Sequence, residues 1–326
     1  MTARPALDRF RLAAAVLVVC IHTSPLASVT EAGDFWLTRV LARAAVPFFF
    51  MTSGYFLGWG RWKGTGKLVK KTLLLYGAAV LLYLPVNWYN GGYKPMEWLQ
   101  RLLAEGTLYH LWYFPAAVLG AVIARNLARL GMPAALAAAG ILYLAGVGGD
   151  SWYGFAAGFP AAERFYAGVF RIFPHTRNGL FFAPLFFLLG AAGVRWSRRA
   201  SLIGTGLSLA AMSAEGFYLR AQGWPRHDSM YLTLPLYAVF LFSWLLGENR
   251  GEDLRARRLS LLIYLLHPMS IVLVHGAAGA AGLRELLDNS LVHFGAVAAV
   301  TAGLILALER IRRFAARRGP GYGKMG

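Results

Sequence analysis

Residues 7–25 read LDRFRLAAAVLVVCIHTSP, and ten residues without a formal charge separate Arg11 from His22. Eleven helical steps of about 100° come to roughly 20° past three full turns, so these two side chains share one helix face. They stand about 16 Å apart along the axis, which is about half the thickness of a bilayer's hydrocarbon core. We therefore predict a membrane helix with a cation at one mouth and an ionisable group beyond the midplane. Such a group is a functional candidate by default.

The rest of the chain has the composition of a membrane protein. Of its 326 residues, 57% are apolar and only 15% are charged, and long apolar runs recur along the whole length. This pattern predicts an all-α, polytopic membrane protein with about ten transmembrane helices. We expect one ten-helix domain over 1–310 and a basic tail over 311–326. The predicted spans are 10–29, 38–58, 68–88, 109–128, 132–149, 178–196, 200–220, 229–247, 258–279 and 290–310.

The distribution of charge orients these spans. Of the 33 lysines and arginines, 23 lie at the two termini and in alternate linkers, which the positive-inside rule places in the cytoplasm. Both termini and the basic tail are therefore predicted to be cytoplasmic. This asymmetry also explains the net charge of +18, so we expect membrane lipids as partners and no nucleic acid. The single cysteine, Cys20, excludes an internal disulfide and a cysteine-based metal site, and we expect no metal cofactor.

Most ionisable residues inside the predicted spans lie in the outer half. Beyond His22, the second helix carries Arg39 and Arg43, which a spacing of four places on one face. His110 opens the fourth helix, and Arg177 stands just before the sixth.

Two further candidates lie in the seventh and ninth helices. Glu215 is near the outer end of the seventh, and His267 is near the middle of the ninth. Pro268 deprives the carbonyl of Tyr264 of its helical donor, which predicts a kink and a polar spot beside His267.

Each candidate also has a purely structural interpretation. Arg39 can extend to the outer interface, and Glu215 can pair with Arg220 at the end of its helix. The histidines can be interfacial residues or core residues bonded to a neighbouring helix. A buried Arg43 needs an anionic or carbonyl partner under either interpretation.

Aromatic side chains mark the outer segments. The segment 83–98, which includes Tyr83, predicts an interfacial belt of tyrosine and tryptophan. The linker 150–177 is the longest and is rich in aromatic residues. We expect this linker to lie on the membrane or to fold over a cavity as a lid.

Four ordered motifs resemble the acyltransferase 3 family of bacterial inner-membrane proteins. They are Arg11-x10-His22, the stretch VPFFFMTSGYF at 46–56, His110-Leu111-Trp112, and SLLIYLLHP at 260–268. The resemblance covers nearly the whole chain. It implies a multi-pass protein of the bacterial inner membrane that moves an acyl group, usually acetyl, from cytoplasmic coenzyme A to an acceptor on or beyond the outer face.

The resemblance also implies roles for residues, because the arginine and histidine of the first motif are held essential in the family's O-acetyltransferases. Arg11 would hold a phosphate of acetyl-coenzyme A, the acyl donor. His22 would act as general base on the acceptor hydroxyl or carry the acyl group. Lys67 and Lys70 stand where the family has an Arg-x-x-Arg pair, which would clamp phosphate. The residues expected to bind the acceptor, a cell-envelope glycan or a small molecule, are Arg43, His110, Arg177, Glu215, Tyr264 and His267.

A narrower likeness suggests a rival function. The stretches RNGLFF at 177–182 and RHDSMY at 226–231 resemble the membrane half of the vancomycin-resistance serine racemases. There a ten-helix unit precedes a cytoplasmic racemase domain and is thought to aid serine uptake. The chain would then be a carrier of serine or another small metabolite, with Arg43 or Arg177 binding the carboxylate and Glu215 the ammonium.

A third alternative is a structural membrane subunit that recruits a separate racemase or esterase-like partner. Because the chain ends after the tenth predicted span, we expect neither a racemase domain nor an esterase-like domain on it.

Overall fold

A computed structural model describes residues 5–89, 94–247 and 253–318. Every regular element in these ranges is helical, so the fold class is all-α as predicted. In chain order, the α-helices are α1 (Pro5–Thr23), α2 (Glu31–Phe35), α3 (Ala45–Trp59), α4 (Thr65–Tyr89), α5 (Pro95–Gln100), α6 (Tyr113–Leu127), α7 (Met132–Gly148), α8 (Tyr153–Ala157), α9 (Pro160–Ile172), α10 (Ala183–Ala192), α11 (Arg198–Gln222), α12 (Leu234–Gly247), α13 (Leu254–Ala281) and α14 (Ser290–Arg318).

Several helices have the length and composition of membrane spans. Four stretches of the described chain are long and apolar enough to cross a bilayer, namely Glu31–Trp59, Thr65–Tyr89, Leu254–Ala281 and Ser290–Phe314. A helix also stands at each of the ten predicted positions. The chain is therefore a helical membrane protein, whereas ten crossings and cytoplasmic termini stay predictions.

Two helices form the centre of the bundle. α10 is buried along almost its whole length, and it packs against α3. The two backbones touch at glycines, since a Cβ on Gly54 would overlap the carbonyl of Phe187 and one on Gly190 would overlap that of Met51. Small residues allow this close approach between membrane helices. α4, α13 and α14 are much more exposed and surround this centre.

Three predicted helix starts are wrong, and each error falls on a candidate residue. α6 begins at Tyr113, so His110 lies in the turn before the helix. α10 begins at Ala183, because the Asn178 side chain accepts from the backbone N–H groups of Leu180 and Phe181 and holds 178–182 in a turn. Arg177 therefore stands in an irregular segment.

The start of the second predicted span is also irregular. A π-helical turn, Trp36–Val40, and a 3-10 turn, Leu41–Ala44, connect α2 to α3. π turns are rare and occur frequently at functional sites. Arg39 and Arg43 therefore do not stand on a regular α-helix, and their exposure differs, since the Arg39 side chain is partly exposed and Arg43 is buried.

Tyr83 bridges the backbone of α13 beside Pro268. Its hydroxyl donates to the carbonyl of Leu265 (2.6 Å) and accepts from the N–H of Met269 (3.2 Å). The hydroxyl thus stands in for a helical bond on the turn that carries His267. Tyr83 is fully buried, so its assignment to an interfacial aromatic belt was wrong.

The outer linker and the tail carry more helix than expected. The linker 150–177 contains α8 and α9, and it packs against neighbouring segments through the Tyr166 hydroxyl, which donates to the Ala145 carbonyl. The Arg226 guanidinium lies over the Phe170 ring. α14 continues to Arg318, into the predicted tail, of which 319–326 lie outside the described residues.

Candidate functional site

A cavity of about 410 Å³ opens at the basic end, the end of the bundle that carries the first residues of α1. Three cations line it: Arg11 from α1, Lys71 from α4 and Arg257 from α13. Much of the remaining wall is apolar or aromatic, as with Phe49 and Phe114. The cavity therefore suits a ligand with an anionic head and a less polar arm.

Asp8 organises two of these cations. One carboxylate oxygen accepts from Nη1 of Arg11 (2.8 Å) and Nε of Arg257 (3.0 Å), and the other accepts from Nη2 of Arg257 (3.0 Å). The Asp8 side chain is almost fully buried, so the bidentate pair fixes the Arg257 guanidinium plane. The start of α1 is thereby tied to the start of α13, with both guanidinium groups facing the cavity.

The lysine in the cavity wall is not one of those predicted. Residues 68, 71, 72 and 75 form the lining face of α4, which follows the helical repeat. Lys67 and Lys70 are exposed and are not among the lining residues. Lys71 is thus the α4 lysine placed to meet a ligand.

Tyr264 stands between the cavity and a group of histidines. It lines the cavity, and its hydroxyl donates to the backbone carbonyl of His110. The Tyr264 ring centroid is 5.6 Å from that of His110 and 6.3 Å from that of His267. The inner end of the cavity is therefore one aromatic ring away from these imidazoles.

The group, termed here the histidine cluster, consists of His22, His110 and His267. The His267 ring centroid lies 5.4 Å from that of His22 and 5.5 Å from that of His110. The exposed Tyr109 lies with its ring centroid 4.5 Å from that of His22, and the two rings are tilted by 48°. Two helices and the turn before α6, far apart in sequence, thus bring their imidazoles together.

The bonding of these imidazoles contradicts two structural interpretations. His267 is bonded through Nδ1 to the Ile263 carbonyl of its own helix (3.1 Å), not to a neighbouring helix, and its Nε2 is buried without a partner. His110 is fully buried, with both ring nitrogens unpartnered, so it is not an interfacial residue. Unpartnered buried nitrogens of this kind are available to a ligand.

Two arginines, the buried Arg43 and the half-buried Arg177, lie near the cluster, towards the end opposite the basic one. Arg43 and Arg177 both interact electrostatically with His22 and with each other. Nε and Nη2 of Arg43 and Nε of Arg177 have no hydrogen-bond partner within the described residues. Burial lowers the pKa of Arg177 to about 10, and the neighbouring Arg43 contributes to that shift. Arg39 is more peripheral and lies 3.9 Å from Asp228.

Asp150 faces the two arginines from the turn after α7. Its Oδ1 accepts from the N–H groups of Ser229 (2.7 Å) and Met230 (2.9 Å), whereas Oδ2 is buried with no hydrogen bond to the described residues and lies 3.9 Å from Nδ1 of His227. Burial raises the pKa of this carboxyl to about 7, against the opposing effect of the backbone donors and of the two guanidinium groups.

Glu215 is occupied by structural contacts. Its Oε1 accepts from Nε1 of Trp152 (2.8 Å) and the N–H of Leu232 (2.7 Å), and its Oε2 accepts from the N–H (3.0 Å) and hydroxyl (2.6 Å) of Thr233. The expected alternative pair with Arg220 is absent from these contacts, because Arg220 bonds Glu31. Glu215 therefore fixes the segment before α12.

The sequence profile of the acyltransferase 3 family, described as an acyltransferase domain, matches residues 4–310. The chain belongs to the acyltransferase 3 family. No solved structure is significantly similar to it.

Among curated proteins, this acyltransferase 3 chain is similar to racemases of enterococci. It is 39% identical over 321 residues to an amino-acid racemase of Enterococcus faecalis, covering 93% of this chain and 44% of that protein. It is 38% identical over 322 residues to a serine/alanine racemase of Enterococcus gallinarum, covering 93% and 46%. The chain thus spans about half the length of these relatives. The predicted resemblance to the family and to serine racemases is confirmed.

Several residues of this acyltransferase 3 site were missed by sequence reasoning. Asp8, Lys71 and Arg257 had been counted only as ordinary charges of the basic side. For Asp8 a signal existed, since it precedes Arg11 by three residues and so shares its helix face. Asp150 had no comparable signal, because only the tertiary fold brings the turn after α7 beside Arg43.

Proposed function

We propose that the chain is an O-acyltransferase of the bacterial inner membrane. It would move an acyl group, with acetyl the first candidate, from cytoplasmic coenzyme A to a hydroxyl acceptor at the outer face. The observation that carries this proposal is the position of Tyr264, which lines the cationic cavity and contacts the histidine cluster. A donor in the cavity would thus have its reactive end beside those imidazoles.

The donor would bind with its phosphates at the basic end. Arg11, Lys71 and Arg257 are the cations on the cavity wall, and guanidinium groups match phosphate through a planar fork of donors. The axial distance from Arg11 to His22 is about 16 Å, a length that the pantetheine arm can bridge. The aromatic wall would accommodate that arm while the thioester approaches Tyr264.

The transfer itself needs a base. A ring nitrogen of His22 would take the proton of the acceptor hydroxyl while the hydroxyl oxygen attacks the thioester carbonyl. The carbon–sulfur bond then breaks, the ester forms, and the proton passes to the leaving thiolate to give coenzyme A. His110 and His267 have ring nitrogens without a hydrogen-bond partner among the described residues, and these nitrogens would orient the acceptor or stabilise the oxyanion.

The test is acetyl-coenzyme A turnover by the purified protein in lipid, followed as release of free thiol. We expect His22→Ala to lose at least about 100-fold, the lower range for general acid–base catalysis. His275→Ala is the matched control, because His275 is an exposed histidine on α13. Turnover by His22→Ala at the wild-type rate would end the role proposed for His22.

A carrier of serine or another small metabolite is the second candidate. It is favoured by the names of the curated relatives, amino-acid racemase and serine/alanine racemase. In this function Arg43 or Arg177 would bind the carboxylate. Asp150, whose Oδ2 has no hydrogen bond to the described residues, would meet the ammonium better than the occupied Glu215.

Proteoliposomes separate the two candidates. Accumulation of labelled serine without coenzyme A would favour the carrier, and stimulated thioester hydrolysis would favour the enzyme. A third function, recruitment of a separate racemase or esterase-like partner, would instead give co-purification with such a partner and no activity of the chain alone.

A further inference from the structure

The environment of Arg43 calls for a ligand that the described residues do not supply. Arg43 is buried, and its Nε and Nη2 have no hydrogen-bond partner in the described part of the chain. An unpartnered donor in a buried site is unfavourable, and more so when it is charged. A completed site would therefore place acceptor oxygens here.

Arg177 is a second arginine that lacks an acceptor. Its Nε is also buried without a partner, and its guanidinium group lies over the Trp112 ring, 5.0 Å from the centroid. Arg43 is its strongest repulsive neighbour. Two neighbouring guanidinium groups that repel each other, each with a buried nitrogen, are stabilised together by one anion between them.

The nearby acids have contacts of their own. Asp228, the acid that attracts Arg43 most strongly, is 3.9 Å from Arg39, and Glu105 is 3.4 Å from His175. Oδ1 of Asp150 accepts from the backbone N–H groups of Ser229 and Met230, and its Oδ2 lies 3.9 Å from Nδ1 of His227. These three carboxyl groups also make the site unfavourable for a dianion such as phosphate, while leaving it suitable for a single carboxylate.

We propose that Arg43 and Arg177 form a binding site for the carboxylate of a small ligand. Each guanidinium group can present paired N–H donors to the two carboxylate oxygens, a geometry specific to arginine. Where the proposed acyltransferase function holds, on which this part rests, the ligand is the acyl acceptor. It then carries both a carboxylate and a hydroxyl group, because both arginines lie within electrostatic reach of His22.

The experiment is a binding titration of the purified protein in lipid, without acyl-coenzyme A. The probes are serine and glycerate, which carry a carboxylate, serinamide and glycerol, which do not, and inorganic phosphate. We expect serine and glycerate to bind at least about tenfold more tightly than serinamide and glycerol, since hydrogen bonds between two charged groups are stronger than those to a neutral group. Arg43→Gln and, separately, Arg177→Gln should remove that preference.

Arg220→Gln is the matched control, because Arg220 pairs with Glu31 at the surface, and it should bind as the wild type does. Equal binding of serine and serinamide, tighter binding of phosphate, or no binding of either carboxylate by the wild type would overturn the proposal. The wild-type titrations alone can overturn the proposal, even if a variant fails to fold. Because the titration needs no turnover, its result can be interpreted even if the protein is not an acyltransferase. Acyl transfer to glycerol but not to glycerate would contradict the carboxylate site and leave the acyltransferase function intact.

Discussion

The two ends of the protein hold their cations in different ways. At the basic end, Arg11 and Arg257 share the buried Asp8 and line an open cavity. At the opposite end, Arg43 and Arg177 have buried guanidinium nitrogens that lack a hydrogen-bond partner among the described residues. A cation that is already paired can bind a large anion from solution at a lower desolvation cost than an isolated charge. A buried cation without a partner is instead suited to binding one small anion.

The largest effect expected is on the link between the two ends. Removing the Tyr264 side chain with Tyr264→Ala would open the cavity towards the histidine cluster, because this ring separates them. We expect water to compete with the acceptor, so that thioester hydrolysis rises at least about tenfold over acyl transfer. The ratio of the two products, measured by mass spectrometry, checks this. Tyr89→Ala, at an exposed tyrosine of α4, should leave the ratio unchanged.

A smaller loss is expected from Asp8→Asn, which keeps the shape of the side chain and removes its charge. The free energy of unfolding should fall by about 1–3 kcal/mol, less than for a fully buried pair because Arg257 is partly exposed. The KM for acyl-coenzyme A should rise about tenfold as the cations lose their fixed positions. Asp288→Asn, at an exposed acid, serves as control. An unchanged KM would show that Asp8 does not organise the basic end.

Next in size is the contrast between two lysines of α4. Lys71 lines the cavity and Lys67 does not, so Lys71→Gln should raise the KM for acyl-coenzyme A by about three- to tenfold, an order of magnitude typical of one exposed charge contact. Lys67→Gln should change it by less than about twofold. The reverse ranking in steady-state kinetics would restore the predicted Lys67 and Lys70 clamp.

The smallest effect is expected from Tyr83→Phe. The substitution keeps the buried ring and removes the hydroxyl that bridges Leu265 and Met269, so the free energy of unfolding should fall by about 1 kcal/mol. The turn that carries His267 should also loosen, which hydrogen exchange at the amide of Met269 would report. Tyr218→Phe, at an exposed tyrosine of α11, should show neither change.

Sequence patterns predicted the elements of this fold better than the start of each helix. The apolar runs placed helices at the ten positions because burial in lipid demands them. The start at Ala183 was missed because local bonds of the Asn178 side chain compete with helical bonds. Before Tyr113, a backbone turn bond from Leu111 to the carbonyl of Leu108 precedes the helix.

The candidate site was predictable only where one helix carries it. The spacing of Arg11 and His22 is a property of α1 alone. The grouping of His22 with His110 and His267 depends on the packing of separate segments, and no spacing in the chain encodes it. The hydrogen bonds that Glu215 accepts could not be predicted from the sequence either, since their donors come from the α7–α8 turn and from the segment before α12.

In the proposed function, the basic cavity and the histidine cluster form one reaction path. A density map of the protein with a non-hydrolysable acyl-coenzyme A analogue bound would show whether they do. We predict phosphate density beside Arg11, Lys71 and Arg257, with the analogue's acyl end past Tyr264 and within hydrogen-bonding reach of His22. Density for the analogue outside this cavity, or an acyl end that stays on the basic side of Tyr264 in every particle class, would contradict the claim.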